Sequence, residues 1–210
     1  MSARLLPGDA LDQSGLQGEV MPGIPNARLG SLGSGLETID TFHPWIAVLV
    51  NLSPDHLDRH ASFAAYAGAK ARIFENQTSA DFAVVNADDP ASVALAAAAR
   101  AVRFDFALDT PVSSGVCLEG EDIVSVRNGV RTLLLPRSVV RLQGRHLLAD
   151  VLAASAVATL VGVEPAHIRQ AVETFTGLPH ALELVAELGG VRFVNDSKAT
   201  NVVSVRRSLE

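Results

Sequence analysis

Three features of the 210-residue sequence predict an α/β fold, a mostly parallel sheet with helices on both faces plus a small β-ribbon. Trp45 to Leu52 (WIAVLVNL) is a continuous apolar run rich in β-branched residues, the pattern of a parallel-sheet strand covered on both faces. Behind it, strand-like and helix-like segments alternate, as βα units do. Asn128-Gly129 then separates two apolar or alternating runs, a hairpin signal that interrupts the α/β pattern.

The elements follow in order. Residues 1 to 35 hold seven of the sixteen glycines and three prolines without apolar periodicity, so they are expected to be a poorly ordered, loop-rich segment. After the first strand, Ser62 offers an N-cap to a helix from Phe63 to Glu75, with Phe63, Tyr66, Ala67, Ile73 and Phe74 at helical spacing. Phe82 to Asn86 reads as a second strand, ended by Ala87-Asp88-Asp89-Pro90. An alanine-rich helix from Ala91 to Arg100 leads to a strand from Val102 to Phe106. Asp122 to Arg127 and Val130 to Leu135 form the ribbon. His146 to Val161 reads as a small-residue helix, and Pro165 opens another over Ala166 to Phe175. Gly177-Leu178-Pro179 reads as a hinge, followed by a hairpin of Leu182 to Glu187 and Val191 to Asn195 about Gly189-Gly190, and a helix from Val202 to Glu210.

Composition narrows the function classes. A net charge of −6 gives no support to nucleic-acid or anionic-membrane binding by net attraction. Hydrophobic content of 48% with 19% charged residues excludes bulk disorder. The single cysteine, Cys117, forms no intramolecular disulfide and suits a reducing compartment. Without a signal-like start or a spanning apolar tract, the reading is a cytoplasmic protein.

Three polar constellations carry the chemistry. Ser53-Pro54-Asp55-His56-Leu57-Asp58-Arg59-His60 follows the first strand, and the carboxyl ends of parallel strands are where α/β sheets place ligands. A neutral His56 there has a ring nitrogen available to a metal, although a solvated polar loop has the same composition. Only two lysines stand against fifteen arginines, Lys70 and Lys198. Lys70 lies on the helix that follows the His56 loop; as a carbamate it would be an oxygen ligand suited to magnesium, and as a plain lysine it would snorkel. Asn195-Asp196-Ser197-Lys198-Ala199-Thr200-Asn201 joins a strand to a helix, supplying hydroxyls, a cation and free N–H groups to an anion, or simply a capped helix start. No G-x-x-x-x-G-K-[ST], G-x-S-x-G, H-E-x-x-H or strand-to-helix G-x-G-x-x-G is present.

Taken together, Asn51-Leu-Ser-Pro-Asp-His-Leu-Asp-Arg-His60, Ala69-Lys-Ala-Arg-Ile-Phe-Glu75, Asn86-Ala-Asp-Asp-Pro90, Gly177-Leu-Pro-His180 and Asn195-Asp-Ser-Lys-Ala-Thr-Asn201 resemble the Mur ligases, and the last string is like that of their D-glutamate-adding member. The resemblance runs from about Leu36 to Glu210. It implies a partial central ATPase domain over 36–177 and a stub of a Rossmann-like C-terminal domain over 178–210. It also implies ATP-dependent amide ligation through an acyl phosphate, with UDP-N-acetylmuramoyl-L-alanine and D-glutamate as substrates and ATP and Mg2+ as cofactors. His56 and a carbamylated Lys70 would be metal ligands and, with Lys198, catalytic. Asp196 and His146 would lie on the nucleotide side. Ser197, Lys198, Thr200 and Asn201 would face the amino-acid acceptor.

Departures from the family pattern point to a truncated or degenerate copy with little activity alone. The phosphate loop is missing, Gly30 falls where an acidic magnesium ligand is expected, and Leu147 and Ala181 replace an asparagine and an arginine near the nucleotide. The rival expectations are a non-catalytic binding domain and a folylpolyglutamate-synthase-like ligase.

Overall fold

The structure, a computed structural model, describes residues 36, 39–52, 62–200 and 202–209. The glycine-rich residues 1–35 and most of the His56 loop therefore lie outside the described residues. Six strands lie in chain order in one sheet. β1 (Ile46–Leu49), β2 (Phe82–Asn86), β3 (Val102–Ala107) and β4 (Gly115–Glu119) are parallel, and β5 (Asp122–Arg127) and β6 (Val130–Pro136) add antiparallel at the β4 side. Strand residues alternate between two apolar layers, as a period of two requires. Val84, Phe104, Phe106, Val116 and Ile123 pack on one face against Leu148, Leu152 and Ala156 of α3 (Arg145–Leu160) and Ile168 of α4 (Pro165–Thr174). Ala47, Leu49, Ala83 and Val85 point to the other face, toward Phe74 and toward Ala96 of α2 (Pro90–Ala96). Helices thus cover both faces, as the sequence predicts.

Local chemistry accounts for the element ends. Ser62 caps α1 (Phe63–Ala71), its Oγ accepting the Ala65 N–H at 3.2 Å. Pro165 stands in the first turn of α4, where its missing N–H costs no hydrogen bond. Asn128 and Gly129 both take positive φ, 53° and 77°, the geometry of a tight hairpin turn.

Several elements depart from the sequence reading: the expected strand over Trp45 to Leu52 narrows to Ile46–Leu49, and the helix expected over Phe63 to Glu75 ends at Ala71 and passes into a 3-10 turn, Arg72–Phe74. The alanine-rich helix stops at Ala96 rather than Arg100, because the chain must turn to enter β3 at Val102, and tertiary demand outweighs alanine's propensity. β4 is a strand that the sequence reading passes over. Parallel strands usually need a crossover of a dozen residues or more, yet only residues 108–114 join β3 to β4. The register explains it: Gly115 pairs with Asp105, near the end of β3, so the loop steps back only a short way. Gly115 makes that step possible, since a Cβ there would lie 1.9 Å from the Asp105 carbonyl oxygen.

Past α4 the chain forms a separate two-stranded sheet of β7 (Glu183–Leu188) and β8 (Val191–Asn195), then α5 (Val202–Ser208).

Candidate functional site at the carboxyl edge and hinge

Asn86-Ala-Asp-Asp-Pro90, which ends β2, ties the carboxyl ends of three strands together. Asn86 Nδ2 donates to the Val50 carbonyl just past β1, at 2.9 Å. The Asp88 carboxylate accepts the backbone N–H groups of Leu108 (2.6 Å), Thr110 (2.8 Å) and Asp109 (3.2 Å) in the loop after β3. Burial pushes the Asp88 carboxyl up, but hydrogen bonds from Thr110, Leu108 and Asp109 to the charged form outweigh it and hold the group below the usual carboxylate range. Asp89 accepts the Leu52 N–H at 2.8 Å and the Ser92 hydroxyl at 2.5 Å, while capping α2. Asp109 in turn pairs at 2.6 Å with Arg145, the first residue of α3. The sequence reading took this string as a strand end. Its signal was two aspartates before a proline at a helix start, which is an N-cap pattern.

Of the expected metal ligands, His56 lies outside the described residues, as does Gly30. Lys70 sits in the last turn of α1, half-buried, with Nζ 5.6 Å from the centroid of the Tyr66 ring. Two residues on, Arg72 donates to the carbonyls of Leu36 (3.1 Å) and Ile39 (2.5 Å), so the end of α1 is pinned to the chain that leads into β1. Among the described residues no three His, Cys, Asp or Glu side chains gather closely enough to hold a metal.

Residues 195–200 of the string expected to face the acceptor are brought against the hinge. His180, with φ 66°, accepts the Lys198 N–H on its carbonyl at 3.0 Å, and its Nδ1 lies 2.8 Å from Asn195 Nδ2. Asp196 accepts the Leu182 N–H at 3.1 Å and the Ser208 hydroxyl, closing the end of β8 onto the start of β7 and onto α5. Its carboxylate thus has a structural task in addition to the nucleotide contact expected of it. Ser197, Lys198 and Thr200 are exposed on this tied backbone, and Asn201 lies outside the described residues.

Between residues 141–147 and 176–184 opens a cleft of about 450 Å³, lined among others by Arg141, Leu142, Leu147, Leu178 and Ala181. Leu147 and Ala181, the two departures on the nucleotide side, both line it and present no donor or acceptor beyond their backbone. His146 is not among the lining residues; a Cβ added at Gly144, whose φ of 90° opens α3, would meet the His146 ring at 3.0 Å.

Comparison with known proteins places this architecture. The chain is 44% identical over 177 residues to the UDP-N-acetylmuramoylalanine--D-glutamate ligase of Acidobacterium capsulatum, an alignment covering 83% of this chain and 38% of that protein. The enzyme of the same name from Geobacter metallireducens is 42% identical over 174 residues, with the same coverage. The chain thus spans well under half the length of these relatives. Among solved structures, MurF from Acinetobacter baumannii superposes with a TM-score of 0.60 at 18% identity, over 78% of this chain and 36% of that one. A pseudomurein peptide ligase type C from Methanothermus fervidus gives 0.59 at 18% identity, over 78% and 40%. These two share the fold. Residues 29–158 match the Mur ligase middle domain, and on that match and these relatives the chain belongs to the Mur ligase family.

Proposed function

We propose that this chain serves the addition of D-glutamate to UDP-N-acetylmuramoyl-L-alanine, and that its residues supply the acceptor side and one metal position of that reaction rather than a complete ATP site. The observation that carries the reading is the junction of β8 and α5. There Asp196 and His180 tie down the backbone while Ser197, Lys198 and Thr200 stand exposed beside the hinge. A fixed backbone with a free cation and hydroxyls suits a dicarboxylic amino acid, whose charge Lys198 would meet. The 42–44% identity to relatives named as D-glutamate ligases supports the same substrate class. Residues 178–210 are read as the start of a third domain and 36–177 as central-domain structure. His56 and a carbamate on Lys70 would hold magnesium, which when bound offsets negative charge developing on phosphoryl and carboxylate oxygens.

ATP fits less well. The cleft that would receive the base is lined by Leu147 and Ala181, which offer it no side-chain donor or acceptor. A binding module without turnover is accordingly the second reading, favoured by that apolar lining. The test is ATP-dependent formation of the amide from D-glutamate and UDP-N-acetylmuramoyl-L-alanine by the purified chain, alongside calorimetric binding of each substrate. Binding of the two substrates with negligible turnover is expected. Turnover within tenfold of a typical enzyme median of about 10 per second would overturn the incomplete ATP site. Failure to bind either substrate would overturn the acceptor reading.

A further inference from the structure

We infer that a cleft under the β5–β6 ribbon binds a free α-amino acid with an apolar side chain, held between Arg127 and Glu164. The cleft, of about 290 Å³, opens between the inner face of the ribbon and the turn that joins α3 to α4. That volume is room for roughly ten groups of water size at about 30 Å³ each, so a single amino acid fits and a nucleotide does not. It is separate from the hinge cleft. One lies against the start of α3 and the other against its end, and the sixteen residues of that helix, rising about 1.5 Å each, set the two roughly 22 Å apart.

Ser125 is the residue that points to a ligand. It stands among the buried inner residues of β5 and is 6% exposed, yet its hydroxyl has no hydrogen-bond partner among the described residues. A polar group so placed is destabilising unless something satisfies it. Its oxygen is not sealed in: among the described residues Gln77 Oε1 is the fully enclosed side-chain atom without a partner, and Ser125 lines the cleft. Thr132 lies directly opposite on β6, its hydroxyl likewise without a partner among the described residues. Such cross-strand pairs have Cβ atoms about 5 Å apart, so one polar group of a ligand can meet both hydroxyls. Two charges complete the set. Arg127, two residues along the same face of β5, and Glu164, just before α4, line the same cleft and pair neither with each other nor with another described residue. The Glu164 side chain does not cap α4 either. A guanidinium offers only donors and a carboxylate only acceptors, so the ligand that suits both carries a carboxylate for Arg127 and an ammonium for Glu164. Leu134 and Val163 leave apolar surface for its side chain. An inorganic anion would meet Arg127 but be repelled by Glu164.

The experiment titrates the 210-residue chain with L-leucine, with 4-methylpentanoate, which lacks the ammonium, and with L-leucinamide, which lacks the carboxylate. Binding is followed by calorimetry and by the NMR amide resonances of residues 125, 127, 132, 163 and 164. Wild type is compared with Arg127→Ala and Glu164→Gln, both at exposed positions where folding is unaffected, and with Ser125→Ala. Leucine is expected to shift these resonances and to bind about tenfold or more tightly than either partial ligand. Arg127→Ala should weaken leucine about tenfold and leave leucinamide almost unchanged, while Glu164→Gln should weaken leucine as much and leave 4-methylpentanoate almost unchanged. Ser125→Ala should weaken all three. Resonances that stay in place with leucine, or that move only beside the hinge, would overturn the proposal. So would 4-methylpentanoate binding as tightly as leucine, which marks a plain anion site, or a leucine affinity unchanged in Ser125→Ala or in both charge variants.

Discussion

Two hairpins in this chain are built alike and end differently. β5–β6 turns through Asn128-Gly129 and β7–β8 through Gly189-Gly190, each pair with positive φ at both residues, and each ribbon carries one register shift. In the first, Ile123, Val126, Leu134 and Leu135 are all at most 5% exposed. In the second, Leu184, Val185, Leu188, Val191 and Phe193 are 48–67% exposed. Turn chemistry and alternation are enough to make a hairpin, but they do not make a core. β5–β6 has one because β4 extends its sheet and α3 and α4 roof it, whereas β7–β8 is a two-stranded sheet of its own, a size that is marginal in water.

The contrast is broken most forcefully at the glycines. Gly115→Ala would place a Cβ 1.9 Å from the Asp105 carbonyl oxygen, so β3 and β4 must part and the scaffold under β5–β6 goes with them. The expected loss is about 4 kcal/mol or more in urea unfolding, and a loss below about 1 kcal/mol would mean that the β3–β4 junction relaxes freely. Gly190→Ala meets nothing within 4 Å and should cost only the strain of a positive φ, about 1–2 kcal/mol, confined to the β7–β8 ribbon.

Paired truncations sharpen it next. Leu135→Ala should cost about 2–5 kcal/mol of global stability, as large-to-small changes in packed cores do. Leu188→Ala, at an exposed position, should stay within about 0.5 kcal/mol. Equal costs would show that the second ribbon buries its apolar face in solution. Amide exchange gives the same contrast without mutation. β2 and β3 should open only with global unfolding, and β7–β8 with far less free energy. Comparable protection in the two would remove the difference.

The smallest effect concerns acid. Asp88 has its carboxyl held below the usual range, so it contributes stability that is fully present above the unfolded value of about 3.9 and lost as pH falls through the lower folded value. Asp105 opposes it in sign. Burial, only partly offset by Arg103, raises its carboxyl, so its charged form costs stability that appears as pH rises. The difference in Tm between wild type and Asp88→Asn should therefore be widest above about pH 5 and shrink toward pH 3. A difference that stays constant across that range would show that the three amides of residues 108–110 do not depend on the Asp88 charge.

Much of the fold was legible because its signals are local. The Ser62 cap, Pro165 at a helix start and Asn128-Gly129 each act within a few residues of themselves, and each stands where the pattern places it. β4 was not legible, since Gly115–Glu119 is a strand only because β3 and β5 flank it. Of the candidate site, Lys70 and Lys198 stood out as the two lysines against fifteen arginines and Asp196 within a polar strand-to-helix string, while Leu147 and Ala181 were singled out on family resemblance and meet in one cleft. The duties of Asp88 and Asp89 were missed, because their partners stand twenty and thirty-seven residues away.

What the sequence by itself determined is the order of every strand and helix except β4, and most of the places where they begin and turn, since caps, prolines and positive-φ glycines act over a few bonds. Only the tertiary structure decided which apolar faces become core. It also decided that a strand-end aspartate reaches the neighbouring strand's exit, and that the polar string from Asn195 to Thr200 closes on the hinge through Asp196 and His180. Those outcomes depend on surfaces and partners distant in the chain, and no local preference encodes a distance that the chain covers only on folding.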